Sequence, residues 1–469
     1  MKLNQIPIPF FKDGVIRESA IDEVLALPTS VDLAVNGHFD RIGAITTRLG
    51  TTLIGSQVEA DKPILGMANY INNAGDKYRL LAKADTNVYA YDGSSWTSVR
   101  SSISSTGKAR FTNFIDLTYM VNGNANQNLS TYNGTTFGTS NIGDFTTGDY
   151  IENFRSRIWV ADSSTDKVYY SDVVSTTQTI TGGTSFIQIS PQDGDMITGL
   201  KRHPRALLVF KKNHIYRIFS INATDPDPSI NVGTYSQESI VEAKDGMYFH
   251  HSSGFYKFNF NGAQIELSKP IQDIVDAIPR ANYDNVVGWE DGDHVYWSIG
   301  DITLGGISMT NVVVRRTIST QLWTTYSYGS EIRSASWYDD GTNLINTIGD
   351  DVGNVLQVNK GDNDNGTTIF YNVESHWYYI TNNKSDLKSI TEVVCLFENA
   401  QGANISYKLD NDSTNKWRPL KQVSKHLTQK MPLNAKNFTR IKFRISGTID
   451  GSPLIFRGFE LLSGDSYTK

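Results

Sequence analysis

From about residue 61 to residue 360, apolar and polar residues alternate in short runs, and most runs lead into a Gly, Asn or Asp turn. Asn87-Val88-Tyr89-Ala90-Tyr91 meets Asp92-Gly93 and continues as Trp96-Thr97-Ser98-Val99. Leu117 to Val121 reaches Asn122-Gly123, and Leu129 to Tyr132 reaches Asn133-Gly134. The run from Arg157 to Ala161 pairs with Lys167 to Ser171, Ala206 to Phe210 with His214 to Ile218, and Gly246 to His250 with Gly254 to Phe258, where Asn261-Gly262 follows. His294 to Ser298 is succeeded by Val312 to Arg315 and Leu322 to Tyr326, and the last unit joins Leu344 to Ile348 with Val355 to Val358. Such units recur roughly every 30 to 50 residues. Each is too small to bury both of its faces, so neighbours must cover them. The period predicts an all-β fold whose central part is a β-propeller of about seven blades.

The flanks read differently. Residues 1–60 predict an extended N-terminal arm. Ser19 to Leu27 has helix spacing, with Ser19 as N-cap and Pro28 as terminator; Ser30 to Val35 alternates into an Asn36-Gly37 turn, and Asp40 to Thr52 is extended. The arm is too short and polar to own a core and must lie against something else. Within the propeller region, Ser268 to Pro279 has helical period, with Pro270 placed to start it, Pro279 to stop it, and Ile271, Ile274, Val275 and Ile278 facing inward. The linker Gly361 to Gly366 separates residues 61–360 from residues 367–469. Beyond it Ile405 to Leu409, Phe438 to Ile445 and Leu454 to Leu461 alternate cleanly, which predicts a C-terminal antiparallel β-sandwich with one wetted face.

Composition sharpens this picture. Hydrophobic residues make up 39% of the 469 residues and aromatic residues 11%, enough for a core and biased toward strands. A net charge of -6 argues against a surface built to grip nucleic acid, which needs clustered Lys and Arg. It allows DNA to slide past without sticking. The single cysteine, Cys395, sits in an apolar run and reads as a buried hydrophobe; no intrachain disulfide is available. Pro7 and Pro9 interrupt any signal-peptide core, and no apolar stretch is long enough for a bilayer. A soluble protein made in a reducing compartment, with no stable membrane insertion, is expected.

Candidate chemistry is sparse. The eight histidines, His38, His203, His214, His250, His251, His294, His376 and His426, show no helical or Cys-paired metal spacing. His250 and His251, adjacent on a strand, point to opposite faces. Neither a phosphate-binding Gly loop nor a G-x-S-x-G nucleophile turn occurs. Gly305-Gly306 reads as a turn. The carboxylate pairs Asp291/Asp293, Asp339/Asp340 and Asp350/Asp351 are where a propeller glycosidase would hold its acids, but all lie in turns where carboxylates bond the local backbone. The same holds for Asp92, whose Tyr91-to-Trp96 turn resembles the sialidase Asp-box short of one residue. Asp362-Asn363-Asp364-Asn365-Gly366 opens like a calcium loop, yet its twelfth position is Val373. Lys201, Arg202, His203 and Arg205 with Lys211 and Lys212 form the densest basic cluster, expected to be a solvated or interface rim. The expectation is a structural protein rather than an enzyme, with no catalytic residues, cofactor or metal.

Three stretches carry a family resemblance: Leu27 to Leu33 followed by Gly43 to Gly50 with Arg48; the degenerate blades; and a Trp377-centred strand with the Tyr407-to-Trp417 hairpin and the closing pair Arg440-to-Ile445 and Phe456-to-Leu462. The chain resembles the tail hub or nozzle proteins of short-tailed bacteriophages, the packaged-DNA stabilisation proteins. The resemblance implies a virion tail subunit, made in the host cytoplasm, that forms a homohexameric ring beneath the portal and its adaptor. Such a ring meets tail fibre or spike proteins, extends the DNA channel, and retains the genome until ejection. The family supplies no catalytic residues. The alternative reading is a carbohydrate-binding or glycan-cleaving propeller of a tail.

Overall fold

Four-stranded antiparallel meanders follow one another along the chain in the computed structural model, and seven of them close into a ring. The structure describes residues 4–7, 12–17, 29–41, 43–123, 129–139, 148–173, 180, 185–222, 227–230, 232–259, 264–380, 387–398, 402–423, 428–449, 451 and 453–463. The expected helix from Ser19 to Leu27, the Asn261-Gly262 turn and His426 lie outside them.

The inner strands of blades 1 to 7 are Ile64–Ile71, Arg110–Phe114, Tyr150–Phe154, Ile197–Arg202, Val241–Ala243, Val287–Glu290 and Ile332–Asp339. In blades 1 to 6 the next three strands follow in sequence, as the hairpin spacing predicts. Blade 7 takes Leu344–Asp350 and Val355–Val358 from its own region and its fourth strand, Thr51–Leu53, from the arm; Leu356 pairs with Leu53 and Val358 with Thr51. The expected linker does not stand apart but adds Asn363–Asp364, parallel to Thr51–Leu53, and then Thr367–Thr368 to the same sheet. Chain ends that meet within one blade lock the ring, because opening it then requires breaking a sheet.

Hydrogen bonds also run from blade to blade around the whole ring. Ser334 Oγ donates to Ile64 O, Asn113 Nδ2 to Asn69 O, Asn153 Nδ2 to Asn113 O, and Arg202 Nη1 to Asn153 Oδ1. Gln237 Nε2 donates to Leu200 O, Trp297 Nε1 to Ser239 O, and Asn346 Nδ2 to Glu290 O. Between blades the sheets bury separate apolar layers, such as Phe210, Phe249, Met247 and Phe258 between blades 4 and 5. This is the stacking that an isolated blade cannot supply.

Blade 6 does not end at its fourth strand. Trp323–Ser327 pairs in parallel with Val31–Val35 of the arm through Val35 and Thr325, and Val31–Val35 pairs antiparallel with Phe370–Ser375. The sheet continues through Arg440–Thr448, Asn404–Leu409 and Arg418–Pro419. It forms one layer of the sandwich. The other layer holds Gly37–His38, Ile45–Thr47, Ile455–Ser463, Lys388–Glu398 and Thr428–Phe438, with Asn4–Pro7 also on Ile455–Ser463. Phe443 and Phe459 stack between the layers with ring centroids 4.5 Å apart, and Cys395 is buried there as expected.

One expected strand is broken. Trp377 lies between Phe370–Ser375 and Tyr378–Tyr379 rather than at a strand centre, because the pairing with Arg440–Thr448 slips by one residue there: Glu374 faces Arg444 but Tyr378 faces Ile441. The helical insertion forms as a 3₁₀ turn over Lys269–Ile271 and a helix over Gln272–Asp276, with Ile271, Ile274, Val275 and Ile278 buried. Gly305 and Gly306, both at positive φ, turn the long hairpin of His294–Leu304 and Ile307–Thr317. No helix among the described residues is long and apolar enough to cross a membrane.

Arg48 joins the two domains. Its guanidinium, 1% exposed, donates to both oxygens of Asp364 at 2.8 and 2.5 Å, to Asn36 Oδ1, to Leu49 O and to Ser327 O. Removing one partner of a buried pair strands the other charge. Arg48→Met is expected to cost about 3–5 kcal/mol in chemical denaturation. Arg48→Met with Asp364→Leu should recover much of that loss, so the two changes are strongly non-additive in a double-mutant cycle.

Candidate functional site

The inner strands present their last residues at one end of the ring, where they line a funnel on the propeller axis. It holds about 640 Å³, with Asn69, Phe111, Asn113, Glu152, Asn153, Lys201, Arg202, Glu242 and Trp337 among its walls. Three of its asparagines stand before an aromatic residue: Asn69-Tyr70, Asn113-Phe114 and Asn153-Phe154. Period-2 alternation sends the aromatic side chain of each pair to the opposite face from the asparagine. Asn113 and Asn153 are left on the axis to donate to the preceding blade, and Asn69 Oδ1 accepts from Asp339 N of blade 7 at 3.3 Å. This repeated dipeptide is a signal present in the sequence itself.

Some funnel groups are fully engaged and others are not. Glu290 accepts from Trp337 Nε1 at 2.9 Å and from Gly292 N at 2.6 Å, which fixes the indole. Glu152 accepts from Asn153 N at 2.9 Å. Lys201 and Glu242 make no hydrogen bond or ion pair among the described residues, and Asn69 Nδ2 donates to none of them.

The opposite end of the axis is crossed by ions. Glu238, just ahead of the blade 5 inner strand, accepts from Arg110 Nε at 2.7 Å and from Lys108 Nζ at 3.0 Å, both of blade 2. Blades 2 and 5 stand three places apart, so this cluster spans the ring. Burial raises the Glu238 pKa, but the charges of Arg110 and Lys108 outweigh it and hold the carboxyl well below its usual range.

A second polar cluster sits where the arm meets blade 6. Asp291 lies 2.6 Å from His294 Nδ1 and accepts from Tyr296 OH at 2.7 Å; Asp40 of the arm lies 3.5 Å from His294 Nε2 and accepts from Arg315 Nη2 at 2.6 Å. His38 Nε2 is 3.6 Å from Asp40, and Tyr326 OH is 3.0 Å from His38 Nδ1. Burial lowers the His294 pKa, yet the hydrogen bonds its ring donates to Asp291 and Asp40 raise it overall. Burial, helped by Arg315, drives that of His38 down to about 3. Sequence reading missed this cluster because its members come from segments some 250 residues apart.

The carboxylate pairs singled out from the sequence divide. Asp92 accepts from the backbone of Ser94 and Ser95, and these bonds lower its pKa to about 2. Asp340 accepts from Thr342 N and Asn343 N, Asp339 from Gly341 N, and Asp350 from Val352 N and Asn354 N. Asp351 accepts from Glu331 N. Asp291 and Asp293 depart from the turn expectation, since their partners are side chains: His294 and Tyr296 for the first, Lys244 and Ser319 for the second. Asp364 of the calcium-like loop is bound to Arg48. Among the described residues no group of three or more His, Cys, Asp or Glu is placed to hold a metal ion.

The basic cluster is dispersed rather than forming one rim. Lys211 is fully buried, with Asp193 at 2.8 Å and Asp166 at 3.3 Å, because alternation along the blade 4 strand turns it inward. Lys201 faces the axis, and Arg202 bonds Asn153. His250 is buried with neither ring nitrogen hydrogen-bonded, while His251 lies part-exposed on the other face.

No family model matches the chain, and no curated protein matches it. Among solved structures, the computationally designed Ika8 protein aligns with TM-score 0.41 and 9% identity, over 66% of this chain and all of its own. The WD40 domain of Pan2 from Neurospora crassa aligns with TM-score 0.42 and 11% identity, over 68% of this chain and 96% of its own.

Two outcomes follow from these contacts. Asn113→Ala removes one inter-blade bond and should lower stability by about 1 kcal/mol in denaturant titration. Burial lowers the His250 pKa from 6.5 to about 3, so the neutral form is favoured in the folded chain. Its contribution is complete above pH 6.5 and is lost as pH falls toward 3, because the unfolded chain binds the extra proton first. His250→Leu should flatten this acid limb, so that the thermal midpoint falls less between pH 6.5 and pH 3 than it does in the unmodified chain.

Proposed function

We propose that the chain is the structural subunit of a bacteriophage tail nozzle. Six copies form a ring below the portal and its adaptor, extend the DNA channel, retain the packaged genome and let it pass at ejection. The observation that carries this reading is the sheet shared between blade 6 and the sandwich. Force applied to either domain is borne by strand hydrogen bonds and by the Arg48–Asp364 clamp instead of a free linker. A vessel wall under the pressure of packaged DNA requires that kind of continuity.

The Glu238 ion cluster lies across the axis of the propeller, so DNA passage belongs to a lumen between subunits. A net charge of -6 suits a lumen wall that repels phosphate and binds no particular sequence. The remaining partners in this reading are the adaptor and tail fibre or spike proteins of the virion.

Light scattering and negative-stain imaging of the purified chain, alone and with its portal–adaptor complex, test the proposal. Six-membered rings with an open lumen are expected on the adaptor. A chain that stays monomeric with the adaptor present, and never yields a ring, overturns it.

A further inference from the structure

We infer that the axial funnel is a binding site for a neutral saccharide. This does not rest on the ring proposal. The funnel volume of about 640 Å³ falls within the range of pockets that enclose small ligands, with room for one or two sugar rings. Its chemistry is divided as a pyranose demands. A sugar has an apolar face of C–H groups and a rim of hydroxyls, each of which both donates and accepts.

Trp337 supplies the flat apolar wall. Its ring is held in place because Glu290 accepts from Nε1 while Asn346 Nδ2 donates to Glu290 O at 2.5 Å. An aromatic surface fixed before the ligand arrives loses little entropy on binding. The groups left free are those that hydroxyls need: the Lys201 ammonium as donor, the Glu242 carboxylate as acceptor, and Asn69 Nδ2 as a neutral donor. All three line the same cavity as Trp337.

Charge decides the class of sugar. The funnel's lining holds two carboxylates, Glu152 and Glu242, against two cations, Lys201 and Arg202, so its walls carry no net charge. Walls without net charge give a phosphorylated or otherwise anionic ligand nothing to offset the cost of stripping water from its charge. A neutral ring keeps its hydroxyl contacts without that cost.

Saturation-transfer NMR on the full chain tests the site, with methyl glycosides of glucose, galactose, mannose and N-acetylglucosamine as probes and glucose 6-phosphate as the anionic comparison. Transfer to at least one neutral glycoside is expected, strongest on the C–H protons of one ring face, and none to the phosphate. Trp337→Ala and Lys201→Met should each weaken binding about tenfold. The Lys201 ammonium has no hydrogen-bond or ion-pair partner among the described residues, so its replacement should leave the thermal midpoint unchanged and keeps the test valid if Trp337→Ala unfolds. No transfer to any neutral glycoside, binding that is undiminished in Lys201→Met, or preference for the phosphate overturns the inference.

Discussion

A buried guanidinium must find partners for five N–H bonds, and Arg48 finds all five in four different parts of the chain. Nε meets Asn36 in the arm, Nη1 meets Leu49 O and one oxygen of Asp364, and Nη2 meets Ser327 O and the other oxygen. The ring of Tyr328 lies 4.3 Å from its centre. Those partners mark the arm, the end of blade 6, the start of the strand that completes blade 7, and the linker to the sandwich. Gly50 follows two residues on, where a Cβ would stand 2.0 Å from Asn363 O, so only glycine lets the closing strand pass this close to the linker. The geometry of both domains is referred to this point.

That arrangement changes what the arm is. Thr51–Leu53 completes the ring, Val31–Val35 extends blade 6, and Gly37–His38 with Ile45–Thr47 edges the second sandwich layer. Loss of the arm would therefore expose unpaired strand edges in three places at once. The cluster of Asp40, Arg315, His294 and Asp291 holds the same segment from the other side. Charges in this protein serve mainly as cross-ties between segments that backbone pairing alone would leave free to slide.

The interior of the ring follows a related logic. Neighbouring blades bury apolar layers, and the axis keeps the polar residue at the end of each inner strand. Asn69, Asn113 and Asn153 use one side-chain amide each to register a blade against its neighbour, which leaves the axial space polar. One end of that space is closed by Glu238 with its two cations; the other stays open, with the Lys201 and Glu242 side chains unpaired among the described residues.

What the residues alone determined is whatever depends on local order. Alternation with turn residues such as Asp92-Gly93 and Gly305-Gly306 specified strands and hairpins, because side-chain direction has a period of two and a tight turn needs particular backbone angles. The helix between Pro270 and Pro279, the inward Cys395 and the turn role of Asp92 were legible for the same reason. Only the folded chain decided which blade Thr51–Leu53 completes, that Arg48 belongs with Asp364, that Asp40 and His294 meet, and that Trp337 shares a cavity with Lys201. Those pairings join residues far apart in sequence, whose contact is fixed by ring closure and packing; no local pattern encodes them, since any strand of similar alternation could occupy the same edge until burial and charge select one.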